Sequence, residues 1–276
     1  MWHVDFNNAF QNGGADYHIY IRQPPGFANR QFPHYSLLLL KSLYGLKQAS
    51  QIWFIVLCQL ILDLGFAECQ TDQCTFYLND RCILIAIYVD DLLMLGRPED
   101  NEGCVNELSR RFKLKNHGPV KSFLGLNVEY ANGMIQLNEI GYIYRKVEEF
   151  HLTNSKPVDT PLDPSLPLVF ATPDEKLCHQ KTYQELTGSL NHLAITSRPD
   201  IAFAVSKLCQ FNSDPMHMHF KAAKWVLRYV IYMRHYSLKY GCGTDKDHKL
   251  KLIGYTDSDY GSNHRSKVHN GLRLRL

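Results

Sequence analysis

The sequence predicts an α+β fold, an antiparallel sheet backed by helices and followed by a mostly helical region, and three observations predict it. Short β-branched and aromatic runs flank an acidic pair in ILIAIYVDDLLML, Ile83 to Leu95, which suits two strands meeting at a turn. Two longer segments, Ser50 to Leu64 and Pro98 to Phe112, carry apolar residues at helical spacing. Beyond a proline-rich stretch the spacing is helical, over Tyr183 to Thr196, Asp200 to Phe211 and Asp214 to about Met233.

Taken in order, Met1 to Asp5 reads as the end of a strand and Asn7 to Phe10 as the start of a helix or turn, broken at Gly13-Gly14. Tyr17 to Arg22 alternates like a strand, and Gln23-Pro24-Pro25-Gly26-Phe27 is a rigid turn. Leu37 to Leu43 is a further apolar strand stopped by Tyr44-Gly45. From Ser50 the apolar residues cover most of a helical surface, so a buried central helix is expected, with Gly65 as its stop. Its apolar run falls short of the ~20 residues that a bilayer span needs.

Thr75 to Leu78 and Cys82 to Val89 are strands, and Leu92 to Leu95 completes a hairpin through Asp90-Asp91. The Pro98 to Phe112 helix is acidic at its start and basic at its end, matching the helix dipole. Leu124 to Tyr130 and Met134 to Leu137, joined by Ala131-Asn132-Gly133, form a second hairpin with an Asn-Gly turn. Pro157, Pro161, Pro164, Pro167 and Pro173 mark an extended connector over 156–173. Asp214-Pro215 opens the last helix as a cap and first-turn proline. Leu250 to Tyr255 is a final strand leading into Thr256-Asp257-Ser258-Asp259, and Asn263 to Leu276 is polar and basic without clear periodicity.

With 276 residues and 45% hydrophobic content the chain can bury a sizeable core, which excludes a disordered protein. A net charge of +3 confines any basic nucleic-acid surface to a local patch. Eight cysteines are scattered without a CxxC pair or a Cys/His cluster of zinc spacing, so they read as core thiols of a reducing compartment. No signal peptide is expected, because Met1 to Asp5 passes directly into structure.

Asp90 and Asp91 carry the chemistry. Adjacent carboxylates raise one another's pKa unless a cation neutralises them, and a turn would lift both into solvent where magnesium could be held by oxygen ligands. The plain alternative is a turn signal, since Asp is common in turns. Tyr88-Val89-Asp90-Asp91 inside apolar strands is more specific and resembles the YVDD box of reverse transcriptases. A third carboxylate from another strand is needed for two-metal polymerase chemistry, and Asp5, at a strand end, is the candidate.

The surroundings of Asp5, Val4 to Phe10, resemble the first catalytic motif of copia-type long-terminal-repeat retrotransposon reverse transcriptases. Further matches follow in the family's order: Phe10 to Gly13 with AFLNG, Tyr20 to Phe27 with YMRQPPGF, and Lys41 to Ala49 with KSLYGLKQA. Gly65-Phe66, Tyr88 to Asp91, Phe123 to Leu126, Thr160-Pro161 and Ser197 to Ile201 continue the series. The likeness runs from residue 2 to about residue 262.

This resemblance implies a reverse-transcriptase palm over 1–139 with the fingers largely missing, a helical thumb and connection over 140–245, and a truncated start of a ribonuclease H-like domain with a divergent tail over 246–276. It implies RNA-directed DNA polymerase activity with Mg2+, or Mn2+, held by Asp5, Asp90 and Asp91. Asn8, Ala9, Phe10, Tyr44 and Gly45 would bind the nucleotide, with Phe10 excluding a 2′-hydroxyl. Leu124, Gly125 and Leu126 would belong to the primer grip. Asp257 would be a remnant ribonuclease H ligand, and with no Asp or Glu after Asp259 no nuclease activity is expected. The implied partners are an RNA template, a DNA primer, deoxynucleotides and the rest of a Pol/Gag polyprotein, with no membrane. The implied location is intracellular, either cytoplasmic in virus-like particles or nuclear.

Departures from the family shape two further expectations. Only four residues precede Asp5, so its strand is expected to lack neighbours and the chain alone to be weakly active or inactive. Asn7 stands for the family's usual Lys and Ser50-Gln51 for a Pro-Arg step. The alternative function is a non-enzymatic remnant that binds nucleic acid or a partner through basic helices, Lys221, Lys224 and Arg228 sharing one helix face.

Overall fold

The computed structural model describes residues 1–15, 18–163, 165–166, 168–170 and 178–241, together with the backbone of strands at 253–259 and 269–275. Of the sequence expectations, Tyr17, Pro164, Pro167, Pro173, Cys242, the 250–252 part of the final strand and, in the tail, 263–268 and Leu276 lie outside the described residues. The chain divides into two compact units, Met1–Lys121 and Ser122–Leu276. Both mix helices with antiparallel sheet, so the α+β class holds.

The first unit contains β1 (Trp2–Phe6), β2 (Tyr20–Ile21), β3 (Leu37–Leu38), α1 (Ala49–Asp63), β4 (Ala67–Cys69), β5 (Asp72–Leu78), β6 (Ile83–Tyr88), β7 (Asp91–Leu95), α2 (Pro98–Arg111) and β8 (Leu114–Pro119). Its main sheet has six strands in the order β4-β5-β6-β7-β1-β8. The expectation that the Asp5 strand lacks neighbours is therefore corrected: β1 is paired antiparallel on both sides, with β7 and with β8. Strand β8 carries Lys115, Asn116, His117, Gly118 and Pro119, poor strand formers, and its pairing with β1 supplies what local preference does not.

Alternation fixes which side of the sheet is which. Val4, Phe6, Ile83, Ile85, Ile87, Leu92 and Met94 point to one face and are buried, where Trp53, Leu57 and Ile61 of α1 and Cys104, Val105 and Leu108 of α2 close over them. Helix α1 covers this face with a stripe: of the apolar residues expected to bury most of its surface, Ile55 and Leu62 stay exposed. The helix stops as expected. Gly65, at φ +90°, takes the left-handed position, and the amides of Gly65 and Phe66 return to the carbonyls of Leu62 and Ile61.

Three local expectations are revised. The Leu37 to Leu43 run forms only the two-residue β3, paired with β2, and Leu40 remains exposed because no second layer covers it. The cysteines are not uniformly core thiols: Cys104 is buried, whereas Cys74 and Cys82 are exposed and Cys58, Cys69, Cys178 and Cys209 lie between. The tail has a strand, described below. Its alternation of Leu272 and Leu274 with Arg273 and Arg275 is the signal that marks it.

The second unit contains β9 (Ser122–Phe123), β10 (Leu126–Ala131), β11 (Met134–Asn138), α3 (Ile140–Glu149), α4 (Gln180–Thr196), α5 (Ala202–Cys209), α6 (His217–Tyr232), β12 (Leu238–Gly241), β13 (Ile253–Asp259) and β14 (His269–Arg275). The β10–β11 turn is Asn132-Gly133, both at positive φ, as an Asn-Gly hairpin requires. Helices α3 to α6 share a core that includes Val147, Tyr183, Leu190, Leu208 and Val226. Two buried polar nodes tie the bundle. Glu139 accepts from Ser197 at 2.6 Å and from Thr196, and meets His192 at 2.8 Å. Arg198, 1% exposed, grips both oxygens of Asp200 and donates to the Val230 carbonyl.

Of the three expected basic-face residues on α6, Arg228 instead bonds the Lys156 carbonyl and lies over Trp225, whose indole N–H bonds the Thr160 carbonyl. These two contacts pin the start of the connector to the helix. At Asp200, burial works to raise the pKa, but the hydrogen bonds and charge of Arg198, joined by the Tyr229 hydroxyl, together outweigh it and hold the carboxylate below its ordinary value. A depressed pKa adds stability above the unfolded value and loses it as pH falls through the folded one. Melting temperature is therefore expected to drop as pH is lowered below about 4. In an Asp200→Asn protein that acid-side slope should be shallower, and an unchanged slope would exclude the pair as its source.

Candidate active site

Strand register brings together residues far apart in the chain. Asp5 on β1 lies directly opposite Asp91, the first residue of β7, and both belong to the sheet face opposite the helices. Tyr88 pairs with Asp91, so the β6–β7 loop is the two residues Val89 and Asp90. The acidic pair is thus divided: Asp90 sits in the turn, Asp91 in the strand. The expectation that the turn lifts both into solvent is corrected, since Asp91 is held by strand pairing and Asp90 Oδ1 is buried.

Each carboxylate has a neighbour. Tyr44 donates its hydroxyl to Asp90 Oδ2 at 2.8 Å, while Asp90 Oδ1 has no hydrogen-bond partner among the described residues. Loss of solvent around the Tyr44 hydroxyl, then the bond to Asp90 and its charge, push the pKa up to about 12, so Tyr44 is a neutral donor at physiological pH. His3 meets Asp91 Oδ1 at 2.7 Å and stacks on His117, with centroids 4.7 Å apart. The sequence carried no sign of the His3 contact except the two-residue spacing that puts His3 and Asp5 on one face. His117 could not be found without knowing that β8 pairs with β1.

The turn is strained and braced. Val89 has φ +55° and Asp90 does not, the sign pattern of a turn that favours glycine at its first central position. A β-branched residue there is costly. The Trp53 indole N–H bonds the Val89 carbonyl at 2.8 Å, and the Phe6 amide bonds the Asp90 carbonyl at 2.9 Å. Val89→Gly is expected to raise stability by about 1 kcal/mol, the relief of roughly 1–3 kcal/mol of strain less about 0.5–1 kcal/mol of glycine's extra entropy. Urea unfolding at constant m checks it, and a lower midpoint would show that the turn is unstrained.

Around the carboxylates, Phe10 packs its ring 4.4 Å from that of Tyr44, buried Ala9 opens a 3-10 turn over Ala9–Asn12, and Asn8 precedes it at φ +52°. Gly45 follows Tyr44 at φ +95°. The structure therefore joins Asp5, Asp90, Asp91, Phe10 and Tyr44 within the first unit. Leu124, Gly125 and Leu126 belong to the second, where Leu124 and Gly125, both at positive φ, form the two-residue turn between β9 and β10. Asp257 lies in β13 opposite Gly271 of β14.

Carboxylate oxygens are the donors that magnesium prefers, and the partnerless Asp90 Oδ1 suits such an ion. In this arrangement Asp91 is turned to His3 and Asp90 to Tyr44. Among the described residues no three His, Cys, Asp or Glu side chains converge on one metal position. The chemistry of the donor set, three carboxylates on adjoining strands and their turn, fits a divalent ion.

A family model described as reverse transcriptase (RNA-dependent DNA polymerase) matches residues 1–164. The retrovirus-related Pol polyprotein from transposon RE1 of Arabidopsis thaliana is 35% identical over 93% of this chain. The putative transposon Ty5-1 protein of Saccharomyces cerevisiae is 36% identical over 95% of it, and the Pol polyprotein from transposon TNT 1-94 of Nicotiana tabacum 33% over 93%. The chain spans 84% of the Ty5-1 protein's length but only 17% and 20% of the two polyproteins.

Proposed function

Since the chain belongs to the reverse transcriptase (RNA-dependent DNA polymerase) family, in its copia-type retrotransposon branch, we propose that Asp5, Asp90 and Asp91 are the carboxylates of an RNA-directed DNA polymerase site. The family acts on nucleic acid with divalent metal ions. The single observation that carries the reading is the cross-strand meeting of Asp5 with Asp91, next to a turn that presents Asp90 with one buried oxygen unpaired. Three carboxylates so placed repel one another and favour a cation, here Mg2+ with Mn2+ as substitute. Bound there, the metal supplies a lowered primer-hydroxyl pKa and neutralisation of triphosphate charge.

In this reading the first unit provides the palm. Tyr44 holds Asp90, Phe10 and Tyr44 form an aromatic wall that sets the bulk allowed at the sugar, and Asn8, Ala9 and Gly45 offer backbone to the nucleotide. Leu124, Gly125 and Leu126 serve a primer grip, the α3–α6 bundle a thumb and connection, and Asp257 belongs to a ribonuclease H-like segment. Template RNA, DNA primer, deoxynucleotides and polyprotein neighbours are the proposed partners, and the proposed location is intracellular, in cytoplasmic particles or the nucleus. No helix among the described residues is long and apolar enough to cross a membrane.

The test is primer extension on an RNA template by the purified chain. Weak, magnesium-dependent synthesis is expected, lost in Asp90→Asn. Synthesis that survives this substitution would overturn the assignment. A second reading, a non-enzymatic binder of nucleic acid or protein, is favoured by the engagement of Asp91 by His3 and Asp90 by Tyr44. It predicts salt-sensitive binding indifferent to all three carboxylates, with no synthesis.

A further inference from the structure

The sheet face that carries the carboxylates also carries His3. It lies two residues before Asp5 on β1 and pairs with Leu93 of β7, so it stands diagonally across the strands from Asp91, within reach of an imidazole. Its Nε2 meets Asp91 Oδ1 at 2.7 Å. A carboxylate only accepts, so Nε2 carries the donated proton and has no lone pair to offer a metal. The imidazole is 16% exposed and the Asp91 side chain 33%: the donor is shielded from water while the carboxylate stays open.

A bulge supports the histidine from its other side. Strand β8 has one residue more than β1 between the pairs Val4–Asn116 and His3–Gly118, and that extra residue is His117. An extra residue in one strand re-aims a side chain. Here the His117 ring stacks on His3, with centroids 4.7 Å apart and planes 12° from parallel. The bulge itself is fixed: Gly118 takes φ +70°, and Asn116 Oδ1 accepts from the Gly118 amide at 2.9 Å and from the Trp2 indole N–H at 2.7 Å. Bulge, stacked ring and hydrogen bond form one line that ends on a single oxygen of Asp91.

The neighbouring carboxylate is divided in the same way. Tyr44 takes Asp90 Oδ2 and leaves Oδ1 without a partner among the described residues; His3 takes Asp91 Oδ1, and no hydrogen bond among those residues reaches Oδ2. We propose that His3 is a positioning residue of this site, fixing the Asp91 carboxylate through Oδ1 so that Oδ2 is the oxygen presented to a divalent ion, with His117 as its backing. The inference rests on the polymerase reading and adds to it a residue outside the three carboxylates. Groups that hold a ligating side chain from behind govern metal affinity by about 10–100-fold.

The test uses the full chain without nucleic acid and Mn2+ as the probe, bound ion being read from loss of the free ion's electron paramagnetic resonance signal. His3→Ala is expected to weaken Mn2+ binding about 10–100-fold. His3→Phe keeps a flat ring against His117 and lacks the donor, so it is expected to lose as much. His3→Gln returns an N–H donor at similar reach and is expected to recover most of the affinity. Circular dichroism verifies the fold; should His3→Ala misfold, His3→Phe decides. A role in stability alone would move the urea midpoint and leave Mn2+ binding unchanged, so wild-type affinity in the folded variants would overturn the proposal. So would tighter binding, the mark of a competitor for Asp91, or a nitrogen coupling in the spin-echo modulation that His3→Gln removes, the mark of a direct ligand. If the wild type binds no Mn2+, or Asp90→Asn binds it equally well, the carboxylate reading itself falls and this one with it. Affinity lost in Asp90→Asn but kept in His3→Ala removes the role of His3 alone.

Discussion

Asp90→Asn is expected to reduce magnesium-dependent nucleotide incorporation by a factor on the order of 10²–10³, while leaving the protein as stable as before. The substitution is nearly isosteric, and the Asn side-chain carbonyl can still accept from the Tyr44 hydroxyl. What disappears is a negative charge next in the chain to Asp91, the residue that pairs with Asp5 across the strands. A metal that stabilises transition-state charge contributes several kcal/mol, and each 1.36 kcal/mol is tenfold in rate. Without the ion the same charge is a liability, so its removal eases repulsion in the folded state and does not weaken it. Incorporation of one nucleotide on an RNA template, measured beside urea unfolding of the same protein, separates the two effects. A loss of rate that merely tracked a loss of stability would contradict the metal-ligand role.

Trp53→Ala is expected to destabilise the first unit by about 3–5 kcal/mol, as for large aromatic truncations in cores. Trp53 is 1% exposed and meets Phe6 and Phe112 edge-on, each at 5.1 Å. Against a total of roughly 5–15 kcal/mol for a domain, that is a large fraction. The indole also holds the Val89 carbonyl, so the loss reaches the turn that carries Asp90. Trp53→Phe retains most of the ring contact and drops the bond, for about 1–3 kcal/mol. Urea midpoints order the three proteins. If Trp53→Phe matched wild type, the indole N–H would have no part in bracing the turn.

The parts of the fold legible in the sequence were those decided locally. Gly65 and Asn132-Gly133 announce their turns because few residues tolerate left-handed backbone. The alternation of Ile83, Ile85 and Ile87 announces a half-buried strand whose end is the acidic turn. Asp5 could be singled out only because the chemistry demands a third carboxylate and the motif resemblance supplies one. Its partner across the strands came from the register.

What escaped is non-local. Helix α3 is preceded by Glu139, whose buried carboxylate is satisfied by His192 and Ser197, 53 and 58 positions away. No window of sequence contains that compensation. Strand β8 has the composition of a loop and becomes a strand because β1 offers an edge. Conversely, Leu37 to Leu43 has a strand's composition and finds no second layer to cover it. In both directions tertiary context overrode local preference.

The alternation of β1 also has a meaning for how such a chain can vary. Val4 and Phe6 enter the core while His3 and Asp5 face the other way, so inserting or deleting a single residue before Phe6 would exchange the two sets. Carboxylate would enter the hydrocarbon interior and phenylalanine would replace it at the site. The excursion after Asn12 obeys no such parity, because among the described residues its short strands, β2 and β3, are paired with each other and not with the main sheet. Length polymorphism is therefore affordable there, within a few residues of a stretch where none is.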